Sequence, residues 1–184
     1  MKKNIVILFG SPRKNGNTAA LVRAFTEGAE AAGHTVTCFD LQRMDIHPCA
    51  GCMNGGKHPA GSPHPCVQRD DMDRIYPVYR EADVVVLASP LYYWTISGQL
   101  KTAIDRLYAI EECDGRPVKA CALLMAAAGS AFEAATAFYE SMTSHLKWPD
   151  KGRVLAGGAR TIDAVAHNAG QLAQARQLGE HIGD

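Results

Sequence analysis

Two rhythms of hydrophobic residues alternate along the chain. Residues 5–9, Ile-Val-Ile-Leu-Phe, make a continuous apolar run of strand length, the mark of a strand buried on both faces. Leu21, Ala24, Phe25, Gly28, Ala29 and Ala32 then recur at helical spacing, and Gly33 stands where a left-handed cap would end that helix. The pattern predicts further strands at 35–39, 83–88, 118–125 and 153–156. It predicts helices through Leu100, Ala103, Ile104, Leu107 and Tyr108, from about 130 to 146, and from 162 to about 182. The second of these opens on Ser130-Ala-Phe-Glu133, which matches a capping box. Residues 42–69 form the one long irregular stretch, rich in Pro, Gly, His and Cys, and a loop of that length in a compact domain is usually functional or mobile.

Strands separated by helices imply right-handed crossovers, and hence a parallel sheet covered on both faces. Five such units suit a doubly wound, five-stranded parallel sheet of order 2-1-3-4-5 with helices on both faces, the flavodoxin-like α/β arrangement. The 184 residues show no linker and no internal repeat, so one domain spanning 1–184 is expected. Composition adds little beyond this. Hydrophobic residues at 47% and charged residues at 21% are globular, and 19 basic residues cancel 19 acidic ones, which leaves no electrostatic case for nucleic acid or a membrane surface. The first apolar run stops at Phe9, with no cleavage pattern after it, and nothing approaches transmembrane length; a cytoplasmic location is expected.

Ligands of open parallel sheets bind beyond the carboxyl ends of the strands. The first such end delivers Gly10-Ser-Pro-Arg-Lys-Asn-Gly-Asn-Thr18 and then a helix. Helix-start amides and the helix dipole stabilise an anion there, Ser11, Asn17 and Thr18 add donors, Arg13 adds charge, and Gly10 and Gly16 permit close backbone approach. The loop has neither the Gly-x-Gly-x-x-Gly of a dinucleotide site nor the Gly-Lys-Ser/Thr of a nucleoside triphosphatase, so one terminal phosphate monoester fits it best. The competing reading is a polar strand-to-helix turn capped by Asn17. Ser89-Pro-Leu-Tyr-Tyr-Trp-Thr-Ile96 follows the third strand, where Pro90, Leu91, Tyr92, Tyr93 and Trp94 offer the flat apolar walls an isoalloxazine needs. After the fourth strand, Ala126, Ala127, Ala128 and Gly129 are small enough for a ring to approach the backbone.

In these loops the chain resembles the NAD(P)H-dependent FMN reductase-like family of flavodoxin-fold proteins. The likeness extends to Cys49-Ala-Gly-Cys52, Cys66-Val-Gln-Arg-Asp-Asp-Met72, Ala82-Asp83 and Gln99-Leu-Lys-Thr-Ala-Ile-Asp-Arg106, and covers roughly the first 130 residues. It implies FMN held by Ser11, Arg13, Gly16, Asn17 and Thr18 and by Pro90 to Trp94, with Gly129 nearby. It also implies NAD(P)H as co-substrate, and a quinone, free flavin, nitro compound or metal ion as acceptor. No protein acid, nucleophile or metal is then required, because the chemistry belongs to the cofactor. Asp105 and Arg106 are read as structural. The resemblance further implies a homodimer or homotetramer. A flavodoxin-like electron carrier and a flavin or thiol redox sensor are the other functions in view.

The family's iron–sulfur flavoproteins carry four cysteines in the long loop. Here Cys49 and Cys52 stand at the expected spacing, Gly55 replaces the third, and Cys66 follows only after an insert, so a cluster is not expected. His47, His58 or His64 beside the three cysteines would offer a zinc set, but at no recognised spacing. A redox-active Cys49/Cys52 pair is a third option. The reading adopted is a loop that shapes the flavin pocket or a subunit contact.

Overall fold

The computed structural model describes residues 1–52, 57–115 and 118–184; Gly55, where a third cluster cysteine would fall, lies outside them. Five strands, β1 (Asn4–Phe9), β2 (Thr35–Asp40), β3 (Val84–Pro90), β4 (Ala120–Ala126) and β5 (Asp150–Ala156), pair in parallel in the order 2-1-3-4-5. This is the doubly wound arrangement that the alternating rhythms predict. β3 is buried along its whole length, which is why Val-Val-Val-Leu-Ala carries no polar alternation.

Helices α1 (Asn17–Ala31) and α5 (Ala169–Glu180) cover one face, packing on Ile5, Ile7, Phe9, Val84 and Val86. Helices α2 (Met72–Glu81), α3 (Gly98–Asp114) and α4 (Glu133–Leu146) cover the other, on Val6, Leu8, Val85 and Leu87. Alternate β1 residues thus belong to opposite cores, as the period of two in a strand requires. The α1–α5 crossing is very close. A Cβ on Gly28 would lie 2.1 Å from the Arg176 carbonyl oxygen, and one on Gly179 the same distance from that of Phe25, so both positions require glycine.

Three helical expectations are corrected. Helix α2 is absent from the sequence reading although Met72, Ile75, Tyr76 and Tyr79 follow helical spacing and are fully buried; Pro77 inside the helix masks the signal. Ser130 does not open α4. That helix starts at Glu133 after Phe132, with no side-chain cap, and Thr136 turns its hydroxyl back onto the Phe132 carbonyl instead. The last helix is shorter than expected. A single 3-10 turn (Ala164–His167) precedes it, and Asn168 caps α5 by accepting from the Gln171 amide at 3.1 Å.

Candidate functional site

The carboxyl ends of β1, β3, β4 and β5 surround one cavity of about 290 Å³. At its first corner the chain leaves β1 through Gly10, whose amide donates to Ala88 of the neighbouring strand. Gly10 has to be glycine, because a Cβ there would meet Ser97 Oγ at 2.5 Å and Leu100 Cβ at 2.7 Å. The Ser97 hydroxyl donates to the Gly10 carbonyl at 2.7 Å and, as the cap of α3, accepts from the Leu100 amide. This locks the start of α3 against the first loop. Ser11 accepts from the Arg13 amide at 3.2 Å, the Gly16 amide donates back to the Arg13 carbonyl, and α1 begins with no acidic residue in its first turn. A helix start so bounded stabilises an anion.

Ser11, Arg13, Asn17 and Thr18 line this corner. Ser11 and Thr18 are almost fully buried, and the Thr18 hydroxyl has no hydrogen-bond partner among the described residues. Gly16 is the residue before α1 and contributes backbone only. Asn17 behaves unlike either expectation for it. Its amide nitrogen donates to the carbonyls of Ala159 (3.4 Å) and Thr161 (2.6 Å), and its oxygen accepts from the Val165 amide at 2.9 Å. The side chain is therefore committed to the segment after β5, and it does not cap α1, whose N-terminal flank is Gly16.

Pro90, Leu91 and Tyr92 form the second wall. Pro90 sits in register with Ala126, and the Leu91 amide donates to the Ala126 carbonyl. Tyr92 and Thr95 then exchange backbone hydrogen bonds around Tyr93 and Trp94, both with left-handed φ (48° and 66°), as a two-residue turn of this hand demands. These two aromatics are not on the cavity wall. Tyr93 is 92% and Trp94 60% exposed, and their rings meet edge to face at 5.2 Å. Ala126, Ala127 and Ala128 make the third wall, while Gly129 lies behind it, its carbonyl accepting from the Gly158 amide.

The fourth wall is Ala159 and Arg160, which the sequence reading did not include. The strand-end rule reaches them once β5 is taken as seriously as the first four strands, because Gly157-Gly-Ala-Arg160 follows it directly.

Residues 3–158 match the model of the NADPH-dependent FMN reductase family. The chain belongs to that family. FMN is the cofactor that goes with this membership. Among relatives, an iron-sulfur flavoprotein of Archaeoglobus fulgidus is 40% identical over 100 residues, covering 54% of this chain and 43% of its own. The matched stretch is thus about half the length of the curated relatives. In structure, the NAD(P)H:quinone oxidoreductase from Methanothermobacter marburgensis superposes with a TM-score of 0.76 over 100% of this chain and 98% of that one, at 22% identity. An FMN-dependent NADH-azoreductase from Bacillus anthracis, determined with FMN, superposes with a TM-score of 0.72 at 14% identity, covering 98% of this chain and 99% of that one. These likenesses show the shared fold.

The long loop of this FMN reductase family member carries three cysteines. Cys49 and Cys52 are exposed and Cys66 half-buried, and among the described residues no three His, Cys, Asp or Glu side chains are placed to hold a metal ion. The donor set does not fit a four-thiolate cluster. The loop is held by carboxylates instead. Asp70 accepts from the Arg106 guanidinium at 2.5 and 3.2 Å and from the His47 amide at 3.0 Å, Arg106 also donates to the His47 carbonyl, and the Asp71 carboxylate accepts from the Asp45 amide. The side chains of Arg106 and Asp70 are both buried. Burial acts to raise the Asp70 carboxyl, but the guanidinium and the amides of His47 and Met72 outweigh it and hold the group below the ordinary carboxylate range.

A larger cavity of about 370 Å³ lies between α3, α4 and Val85 and Leu87 of β3. Its walls are mostly apolar and contain no lysine or arginine, so it is unsuited to a phosphate. Among the described residues no helix is long and apolar enough to cross a membrane.

Proposed function

We propose that the chain is an FMN-dependent NAD(P)H oxidoreductase that passes electrons to a small acceptor such as a quinone, a free flavin, a nitro compound or a metal ion. The observation that carries this reading is a single cavity whose two ends differ in chemistry. One end has a helix start, two arginines, Ser11 and the unpartnered Thr18 hydroxyl, with no carboxylate among the described lining residues. The other has Pro90, Leu91, Tyr92 and three alanines. The first suits a phosphate monoester, and the second a flat heteroaromatic ring.

Bound FMN supplies two-electron transfer between a nicotinamide and an acceptor, so no protein nucleophile is needed. The chain's own contribution is position. Thr18 and Ser11 donate hydroxyls, Arg13 adds charge, and the amides opening α1 complete the phosphate corner. Leu91 and Tyr92 are fixed by backbone bonds to Ala126 and Thr95, which makes that wall rigid before any ligand arrives. Ala127 and Ala128 leave the backbone accessible. One domain over 1–184 and a homodimer or homotetramer complete the proposal.

The test is anaerobic. Purified protein is expected to be yellow or to take up added FMN, and NADH or NADPH should bleach it. Colourless protein that takes up no FMN overturns the reading. Yellow protein bleached by neither nucleotide moves the assignment to an electron carrier.

A further inference from the structure

Arg160 has no place in the phosphate corner by sequence, 143 residues beyond the Asn17 that opens the helix (160 less 17), yet it lines the same cavity as Arg13 and Thr18. Its backbone is fixed on several sides. The amide of Arg160 donates to the Gly158 carbonyl at 2.8 Å, and that of Ala159 to the Ala127 carbonyl at 2.9 Å. Asn17 binds the residues on either side of it, through Ala159 and Thr161, and reaches on to Val165. Three hydrogen bonds from one side chain hold the segment across the start of α1.

The electrostatics point the same way. Arg43, Arg74, Arg80, Arg106, Arg153 and Arg176 each lie against a carboxylate. Arg13, Arg23, Arg69 and Arg160 lie against none among the described residues, and of these four Arg13 and Arg160 line the cavity, whose described lining includes no carboxylate. Two guanidiniums beside a helix start, with the hydroxyl of the buried Thr18 on the wall of the same cavity, bring together positive charge and hydrogen-bond donors that suit an anion.

We propose that Arg160 supplies the second guanidinium to the FMN phosphate, and that Asn17 is a positioning residue that holds Arg160 in place and does not touch the phosphate itself. The inference rests on the reading of this cavity as the flavin site and assigns two residues of it new roles. Arginine suits the task because its planar fork engages two phosphate oxygens at once.

Riboflavin lacks the phosphate and so separates a phosphate contact from a general effect on the pocket. Flavin-free protein is titrated with FMN and with riboflavin, following flavin fluorescence. Arg160→Ala is expected to weaken FMN binding by about tenfold or more and to leave riboflavin binding unchanged, with Arg160→Lys recovering part of the loss. Asn17→Ala should weaken FMN selectively as well. Added to Arg160→Ala it should cause little further loss, because it acts through that residue. Raised salt should weaken FMN binding more in the wild type than in Arg160→Ala. Equal FMN affinity in wild type and Arg160→Ala, or an equal loss for both flavins, overturns the role of Arg160. Fully additive losses from the two substitutions overturn the positioning role of Asn17. Wild-type protein that binds neither flavin is a separate result, which removes the flavin-site reading and this inference with it. Arg160 is exposed, so its variants test binding without a folding penalty.

Discussion

The two loops that crowd the carboxyl edge of the sheet are both polar, and they spend their polar groups in opposite ways. The long loop is tied down by carboxylates just beyond its end, in a network where only Asp73 Oδ1 and Arg106 Nε are buried without a hydrogen-bond partner among the described residues. Asp70 takes both Arg106 nitrogens and the His47 amide, Asp71 takes the Asp45 amide, and Asp73 pairs with His64 at 2.9 Å. In the short loop, Arg13 has no carboxylate and Thr18 no partner for its hydroxyl. A loop tied by ion pairs to the helices behind it is held in place, whereas donors left open on a cavity wall are available to a ligand. Cysteines and histidines mark the first loop. Open polar groups mark the second, and they carry the proposed function.

The contrast can be broken from either side. The largest effect is expected at Arg106→Met, which leaves Asp70 buried without its guanidinium and should destabilise the fold by about 3–5 kcal/mol, read from the urea midpoint. That loss depends on pH with a definite sign. The Asp70 carboxyl is held below its ordinary value, so the stabilisation is complete above the unfolded-state pKa, about 3.9, and is lost as the pH falls further through the folded value. The gap between wild type and variant should accordingly be full at pH 7 and narrow below about pH 4. A gap of constant size down to pH 3 would show that Arg106 acts through packing alone.

In the short loop the expected pattern is reversed. Thr18→Val removes a hydroxyl on the cavity wall that has no protein partner among the described residues, so the urea midpoint of flavin-free protein should hold or rise slightly, while FMN affinity falls about tenfold. A loss of stability with unchanged FMN affinity would place Thr18 in the structural class with Asp70. The smallest effect belongs to Cys52→Ser. Its thiol is exposed, and the change should stay within about 0.5 kcal/mol with FMN content unaltered. Release of a stoichiometric metal, or loss of thiol-dependent activity, would instead return the long loop to the functional side.

Much of this architecture is legible because the relevant signals are local. The apolar run at Ile5 and the helical spacing of Leu21, Phe25 and Ala29 specify a strand and a helix wherever they occur, and the alternation of the two specifies the parallel sheet. Helix α2 escaped because a proline in its middle cancels a periodicity that is otherwise present. The capping box at Ser130 failed for a complementary reason. The residues match the motif, but the Gly129 carbonyl is already engaged by Gly158 and the chain enters α4 only after Phe132 is buried.

The parallel sheet and its order, the first three strand ends of the site, and the anion-favouring start of α1 are legible in the chain alone, since each follows from side-chain spacing over a few residues and from general rules of handedness and strand-end binding. How individual residues share the site is set by the packed fold. It turned Asn17 toward carbonyls 142 and 144 residues away, brought Arg160 into the cavity, and lifted Tyr93 and Trp94 out onto a left-handed turn. The reason is that an amide or guanidinium has no preferred partner along its own chain. Which acceptor it meets is set by long-range packing, and that packing leaves no periodic trace in the order of the residues.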